Sequence, residues 1–545
     1  MAASKHGQSP GAAREEDGAS SGNQSLEAAT SVHVVKPESA AVRSSGSRLR
    51  VGQSVVLTAG ALDAQGAGVC AHGDRQIHVP GLLPSESADV LIRHLSPHSD
   101  VAWGSVNRRL CEAAERCAPA CLGYGLCGGC SLQHLRYDAQ RRWKGERFAQ
   151  ALSAVPGAAA AVRAFAAPSS VGAQAEPSPG PLVLPLGYRS RVKLVAAEQV
   201  SRGASATPPQ IYLGSYVPRS HSVLPMEGCR VNAAGLTAIA RTLTAQLNRL
   251  GVRAYDEATG QGALRYVLLR ESARGEQQLG LVVAERPDAA ALTQLTQALI
   301  AAHPTLVSIV LHHNRSAGNA LLTDEEPDAA SDAADLCLHG TPYLWDEVAG
   351  VSLRISARSF FQVHREVAAQ IYSDVAALLR SRLQPAAQAD ATTPLRIVDV
   401  YCGVGGLGLS VAAQLPACSL LGLEWSTSAI ADAQASANRL GLGERSTFHC
   451  GAAEALLVQP GLREQASAAS AVLLNPPRRG CTPEVLSALA TLQPRYLVYV
   501  SCSPESLARD LSFLLAAGYA WVQSTPYDMH PGTPHIESVT LLQRP

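Results

Sequence analysis

The stretch LRIVDVYCGVGGLGLS, residues 395–410, decides the fold. Leu395 to Val400 is a short, branched, apolar run of the kind a strand buried on both faces needs. Asp399 stands near its end, and Gly403, Gly405, Gly406 and Gly408 come next, before a helical pattern begins. Glycines there let the turn run tight and bring backbone N–H groups up to a ligand at the helix N-terminus. The GxGGxG spacing is not the dinucleotide GxGxxG and is a weak signal alone. Glu424 sharpens it: it closes the next apolar run, LLGLEW, 25 residues after Asp399, where a carboxylate can hold a ribose diol. No basic group for a 2′-phosphate stands at that strand end. The runs AVLLNPPRRG (471–480), YLVYVSC (496–502) and HIESVTLLQR (535–544) alternate with helical segments. The pattern predicts α/β architecture, a doubly wound Rossmann-like domain over 356–545. Nicotinamide dinucleotides and S-adenosylmethionine both use such a rim.

The residues at the ends of the later strands favour S-adenosylmethionine. Cys502, in VYVSCSPESLARD, stands just beyond a buried strand, where open α/β sheets keep their chemistry. The helix starting beside it is expected to lower the thiol pKa. Glu537, in PHIESV, begins the last strand between apolar neighbours, and burial would raise its carboxyl pKa. A thiolate and a carboxylate beside a methyl donor suit one task. Uracil C5 is too poor a nucleophile to take a methyl group unaided; thiolate addition at C6 activates it, and a base must then remove the C5 proton.

Upstream, Ser, Gly, Ala and charge without period predict a disordered tail over 1–45. Residues 46–110 alternate in short segments between Gly-bearing turns, the texture of a five-stranded, OB-like barrel. Residues 111–355 read as a central α+β domain, with an Ala/Pro/Ser-rich loop or insertion at 156–184; a second Ala-rich break, at 385–394, precedes the strand that starts at Leu395. Within the central domain, Cys121, Cys127 and Cys130 form a C-x5-C-x2-C cluster, and Cys229 in PMEGCR could supply a fourth thiolate. Four thiolates suit a [4Fe-4S] cluster or zinc, and Cys111 and Cys117 are nearby competitors.

The 13 cysteines are clustered rather than spread, against a disulfide framework. Lys+Arg and Asp+Glu both total 45, so net charge says nothing of partners. Two basic knots, Arg136 to Arg147 and YRSRVK (188–193), could meet phosphates or be solvated faces. No apolar run reaches the ~18 residues of a membrane span and no secretory core opens the chain, so a cytoplasmic location without membrane association is expected. Nothing suggests an oligomer, and a monomer is expected.

Together, CLGYGLCGGCSLQH, SFFQVH, DVYCGVGGLGLS, NPPRRG, VSCSPESLARD and PHIESV resemble the bacterial RNA 5-methyluridine methyltransferase family over about residues 46–545, most closely its ribosomal-RNA branch. The resemblance implies a TRAM β-barrel, a central iron-sulfur domain and an S-adenosylmethionine-dependent methyltransferase domain. It implies Cys121, Cys127, Cys130 and Cys229 as [4Fe-4S] ligands, Cys502 as nucleophile and Glu537 as base. Gln362, Tyr401, Gly403, Glu424 and Asn475 would lie at the cofactor, with 23S ribosomal RNA the expected partner and transfer RNA second. Four departures stand out: Asn475 where the family's DPPR has an acid, His530 and Gly532 in DMHPGTPHIE, and His364 ending SFFQVH. Two rival readings compete with this one. An amino methyltransferase using the NPPR loop would keep its activity without Cys502, and a non-catalytic RNA-binding protein would transfer no methyl group at all.

Overall fold

A computed structural model describes residues 49–167, 182–199, 209–314, 316, 335–389, 395–415 and 418–545. The expected tail at 1–45 lies outside them, as do 168–181 within the expected 156–184 loop. Leu49–Pro545 packs as one unit.

Strands β1 (Ser54–Leu62), β2 (Gly68–His72), β3 (Arg75–Val79), β4 (Ser87–Leu95) and β5 (Val101–Cys111) close into a barrel in the order β1-β2-β3-β5-β4. Leu57 and Ala59, Ile77 and Val79, Val90 and Ile92 fill its interior. Each pair is spaced by two, because successive side chains of a strand point to opposite faces.

Next comes a mixed sheet of β6 (Arg191–Gln199), β7 (Gln210–Tyr216), β8 (Val223–Pro225), β9 (Leu264–Glu271), β10 (Gln277–Val283), β11 (Leu306–His313) and β12 (Leu336–Gly340). Its order is β12-β11-β10-β9-β6-β7-β8. The helices Ala234–Arg249 and Ala289–Ala302 bury stripes of leucine and isoleucine against it: Leu236, Ile239, Leu243 and Leu247, and Leu292, Leu295 and Leu299. Spacings of three and four put each set on one helix face. A hairpin, β13 (Tyr343–Val348) and β14 (Val351–Ser356), then leads into the helix Arg365–Ala389. That helix reaches Ala389, inside the 385–394 stretch where composition suggests a break; residues 390–394 lie outside the described residues. The helix's buried stripe of Ile371, Val375, Leu379 and Leu383 packs on the core, and helix propagation from so firm a segment is cooperative.

The last sheet holds β15 (Arg396–Val400), β16 (Ser419–Glu424), β17 (Ser446–Cys450), β18 (Ala471–Leu474), β19 (Tyr496–Ser501), β20 (Ala520–Tyr527) and β21 (Glu537–Gln543). Their order is β17-β16-β15-β18-β19-β21-β20, with β15 to β19 parallel and β21 antiparallel between β19 and β20. Both faces are covered: Ile397, Leu473 and Val498 enter one core, and Val398, Leu474 and Leu497 the other. Hence the continuous apolar runs. Part of the 156–184 stretch docks on the outer strand, where Arg163 N donates to Ser524 O (2.8 Å) and Ala166 N to Pro526 O (2.9 Å). Among the described residues no helix is long and apolar enough to cross a membrane.

Candidate active site

The carboxyl ends of β16, β15, β18 and β19 stand side by side along one rim, in the order Glu424, the glycine loop, Asn475, Cys502. The loop after β15 is tightly wound. Tyr401 has φ +66°, Gly403 +54° and Gly405 +80°. For Tyr401 the left-handed conformation costs about 1–2 kcal/mol, and its N–H bond to Leu423 O (2.9 Å) helps hold it there. Buried Asp399 accepts from Gly408 N through Oδ2 (2.9 Å), while its Oδ1 is buried without a partner. Burial lifts its carboxyl to about 7 against that hydrogen bond. At Gly408 a Cβ would come 2.7 Å from that same Oδ2, so the helix can approach only as glycine. Glu424 accepts from Gly403 N (3.0 Å) through one oxygen, and from Trp425 N (3.0 Å) and Ser426 N (3.1 Å) through the other. Open space faces Gly403, and Trp425 beside Glu424 is largely exposed. An orphaned acceptor, an open glycine backbone and a carboxylate fixed by amides are what a polar cofactor with a ribose diol requires. Gln362 is half-buried in the loop between β14 and the helix Arg365–Ala389. Ser359 Oγ, donating to Asp432 (2.6 Å), and Val363 O, accepting from Ser190 N (2.9 Å), anchor that loop on both sides.

Register brings thiol and carboxylate together. The β19–β21 ladder ends with Ser501 opposite Ser538, and Cys502 and Glu537 stand one residue beyond that pair on each side, near enough for the Glu537 charge to act on the thiol. Ser501 Oγ accepts from Ser503 N (3.2 Å) and donates to Ser503 O (3.0 Å), which clamps the turn around Cys502. Ser503 then caps the helix Pro504–Ala516 by accepting from Ser506 N (3.2 Å), with Pro504 in its first turn. The expectation of a lowered thiol pKa is overturned. Burial, and then the Glu537 charge, push Cys502 up to about 11, with Arg478 pulling the other way. The helix terminus acts on a thiol that is half-buried beside an anion, and desolvation wins. Burial raises Glu537, 5% exposed, to about 8, again opposed by Arg478.

A cavity of about 180 Å³ opens here, lined by Arg147, Arg478, Cys502, Ser503, Glu505 and His535 among others. Arg478, in the NPPRRG run but not among the site residues expected from the sequence, is the cation that opposes the rise of both Cys502 and Glu537. Ser506 Oγ donates to its carbonyl (3.1 Å), tying the loop to the Cys502 helix. His530 and His535 pack edge to face at 5.7 Å, and burial holds both below their usual range, to about 3 and about 4. His364, another departure, stacks on Tyr188 at 4.7 Å.

The basic knot at 136–147 is not a free phosphate-binding face. Arg136 pairs with Asp138 (2.7 Å), Arg142 with Glu115, and Arg147 with Glu505 (2.8 Å). Arg141 donates to Ala166 O and covers the Phe165 ring. Lys144 has no exposed surface and pairs with Asp528 (2.7 Å). The signal was available: Lys144 shares the helix stripe of Tyr137, Gln140, Phe148 and Leu152. In the second knot Arg191 lies over the Phe360 ring and Lys193 over Tyr266.

Cys121, Cys127, Cys130 and Cys229 line one cavity of about 230 Å³ together with Arg189. Cys111 and Cys117 are not in its lining; their thiols turn to the carbonyls of Glu112 and Gln133. Among the described residues no three Cys, His, Asp or Glu side chains form a group that could hold a metal ion.

Comparison with known proteins agrees with this geometry. Residues 346–545 match the family model described as tRNA (Uracil-5-)-methyltransferase. An uncharacterised RNA methyltransferase of Geobacter sulfurreducens is 30% identical, over 92% of each chain. One of Gloeobacter violaceus is 30% identical over 90% of this chain and 97% of its own. The crystal structure of Pyrococcus abyssi tRNA (uracil-54, C5)-methyltransferase in complex with S-adenosyl-L-homocysteine shares the fold, with TM-score 0.63 and 21% identity over 89% of this chain and 98% of that one. The Rossmann-like methyltransferase fold described above is thus shared with the Pyrococcus enzyme. The chain belongs to the RNA (uracil-C5) methyltransferases and moves a methyl group from S-adenosylmethionine to C5 of an RNA uridine.

Proposed function

We propose that the acceptor is a uridine of transfer RNA, methylated by a route in which Cys502 is the nucleophile and Glu537 the base. The observation that carries the route is the β19–β21 register, which makes the two residues neighbours. The thiolate of Cys502 bonds to uracil C6, and the electron pair released moves to C5 and O4. S-adenosylmethionine, when bound, supplies an electrophilic methyl sulfonium for C5. The Glu537 carboxylate then takes the C5 proton, the C5–H electrons re-form the ring double bond, and Cys502 leaves as thiolate. Arg478 offsets the anionic charge of both groups. Asp399, Tyr401, Gly403, Glu424 and Asn475 are assigned to the cofactor side of the rim, with Gln362 near both cofactor and base, and the target base is flipped out to reach them.

Transfer RNA displaces the ribosomal RNA expected from the sequence, for a structural reason. The barrel and the cysteine cluster, both typically missing from the branch that acts on transfer RNA, were the grounds for ribosomal RNA. Yet the Pyrococcus likeness covers 89% of this chain, more than the about four-fifths that residues 112–545 make up, which supports a match extending into the barrel. The barrel, TRAM-like in this reading, therefore does not separate the two substrates, and the family model and that enzyme are both named for transfer RNA. The test is incubation with labelled S-adenosylmethionine and unmodified transcripts of each RNA, read by nucleoside mass spectrometry. Label as 5-methyluridine in transfer RNA is expected; label confined to ribosomal RNA reverses the assignment.

We also propose that Cys121, Cys127, Cys130 and Cys229 hold a [4Fe-4S] cluster. The support is four thiols around one cavity, a Gly129 N–H donated to Cys127 Sγ (3.3 Å), and Arg189 at the wall. Its role is structural, since the methyl transfer uses no electron. An anaerobic preparation is expected to be brown, with broad absorbance near ~400 nm. A colourless protein with one zinc per chain would contradict this.

A further inference from the structure

We infer that one face of the helix Tyr137–Leu152 positions the base for the second half of the reaction. Gln140, Lys144 and Arg147 stand at intervals of four and three, which places them on one side of the helix. All three grip the loop between β20 and β21, the loop that delivers Glu537. Gln140 Oε1 accepts from Gly532 N (3.0 Å). Lys144 Nζ donates to Asp528 Oδ1 (2.7 Å) and to His530 O (3.1 Å). Arg147 Nη1 donates to Pro534 O (2.8 Å). Leu132 N and Tyr188 Oη add bonds to Gly532 O (2.9 Å) and Pro531 O (3.2 Å). A leucine at 144 would fill the same space, so a fully buried ammonium between Phe148 and Gln140 is explained by its bonds to the loop rather than by packing. Cys502 is held by the hydroxyls of Ser501 and Ser503, and of the three helix residues only Arg147 also pairs with the helix beside it, at Glu505 (2.8 Å). Loss of Lys144 should therefore misplace the base while leaving the nucleophile in position.

This rests on the roles proposed for Cys502 and Glu537, and the experiment separates the two. In Lys144→Met, C6–S bond formation and methyl transfer proceed. Removal of the C5 proton, with cleavage of the C6–S bond, slows by about 10- to 100-fold, as expected for a catalytic group displaced by about 1 Å. The expected readouts are a methylated protein–RNA adduct at Cys502 that accumulates during turnover, a larger isotope effect with 5-deuterouridine RNA, and unchanged S-adenosylmethionine affinity. Lys144→Met/Asp528→Asn removes both charges yet still lacks the donor to His530 O, so it behaves alike even if the single variant fails to fold. Glu537→Gln is the control. If it traps the adduct while the Lys144 variants release product at the wild-type rate with no adduct, the positioning role is wrong. If Glu537→Gln itself traps nothing, the base assignment fails and takes this inference with it.

Discussion

Cys502→Ala is expected to lose methyl transfer by about 10⁴-fold or more, while binding S-adenosylmethionine within about twofold of wild type. Without sulfur at C6 the ring carbon at C5 stays a weak nucleophile, and nothing else on the rim can replace it. The neighbouring serines cannot substitute, because Ser501 is engaged with Ser503, and Ser503 caps the next helix. The residues assigned to the cofactor stand at the ends of β15, β16 and β18 and in the loop after β14, all apart from Cys502, so affinity for the methyl donor should survive. The check is two-fold: label transfer to RNA, and a denaturing gel with 5-fluorouridine RNA, where the wild type forms a stable conjugate and the variant none. Retention of most of the activity by Cys502→Ala would point instead to amino methylation through the NPPR loop.

Glu537→Gln should show the complementary failure. Addition and methyl transfer need the thiolate, not the carboxylate, so the variant should methylate once and stay attached to its product, with turnover down by about 10²- to 10⁴-fold. Denaturing gels and mass spectrometry of the conjugate would show the transferred methyl group; free methylated RNA at the wild-type rate would refute the role. The pH dependence comes from the same site. Glu537 at about 8 and Cys502 at about 11 both react in their deprotonated forms, so single-turnover rates of the wild type should climb from pH 6 to pH 9. A decline across that range would contradict these protonation states. Stability runs the other way. The folded carboxyl titrates above its unfolded range, so its contribution is full at acid pH and is lost as pH rises through about 8. Glu537→Gln removes that loss and should melt higher than wild type at pH 8–9, though not at pH 5.

Which of these features could be read from the chain depends on how local they are. The glycine loop was legible because Asp399, Gly403 and Gly408 act within a dozen residues, and the barrel because alternation along each strand reports its own burial. Cys502 and Glu537 were legible as residues, from the strand end and strand start beside them. Their mutual approach was not, since it depends on β21 running antiparallel against β19 rather than along another edge. The thiol pKa was misjudged for that reason: a helix start is visible locally, while the Glu537 charge and the burial come from elsewhere in the chain. Charge was likewise misread at 136–147, because the partners of Lys144 and Arg147 lie hundreds of residues away in Asp528 and Glu505.

By itself, then, the order of residues determined the strand-and-helix alternation of the last domain, the glycine turn, the thiol at a strand end and the three clustered cysteines at 121, 127 and 130, all local features of the chain. Only the folded chain decided which sulfurs share a cavity, which cations are consumed in ion pairs, and that a helix from the middle of the chain holds the loop bearing the base. Those are pairings between distant segments, and their energy exists only once packing has excluded water from between them.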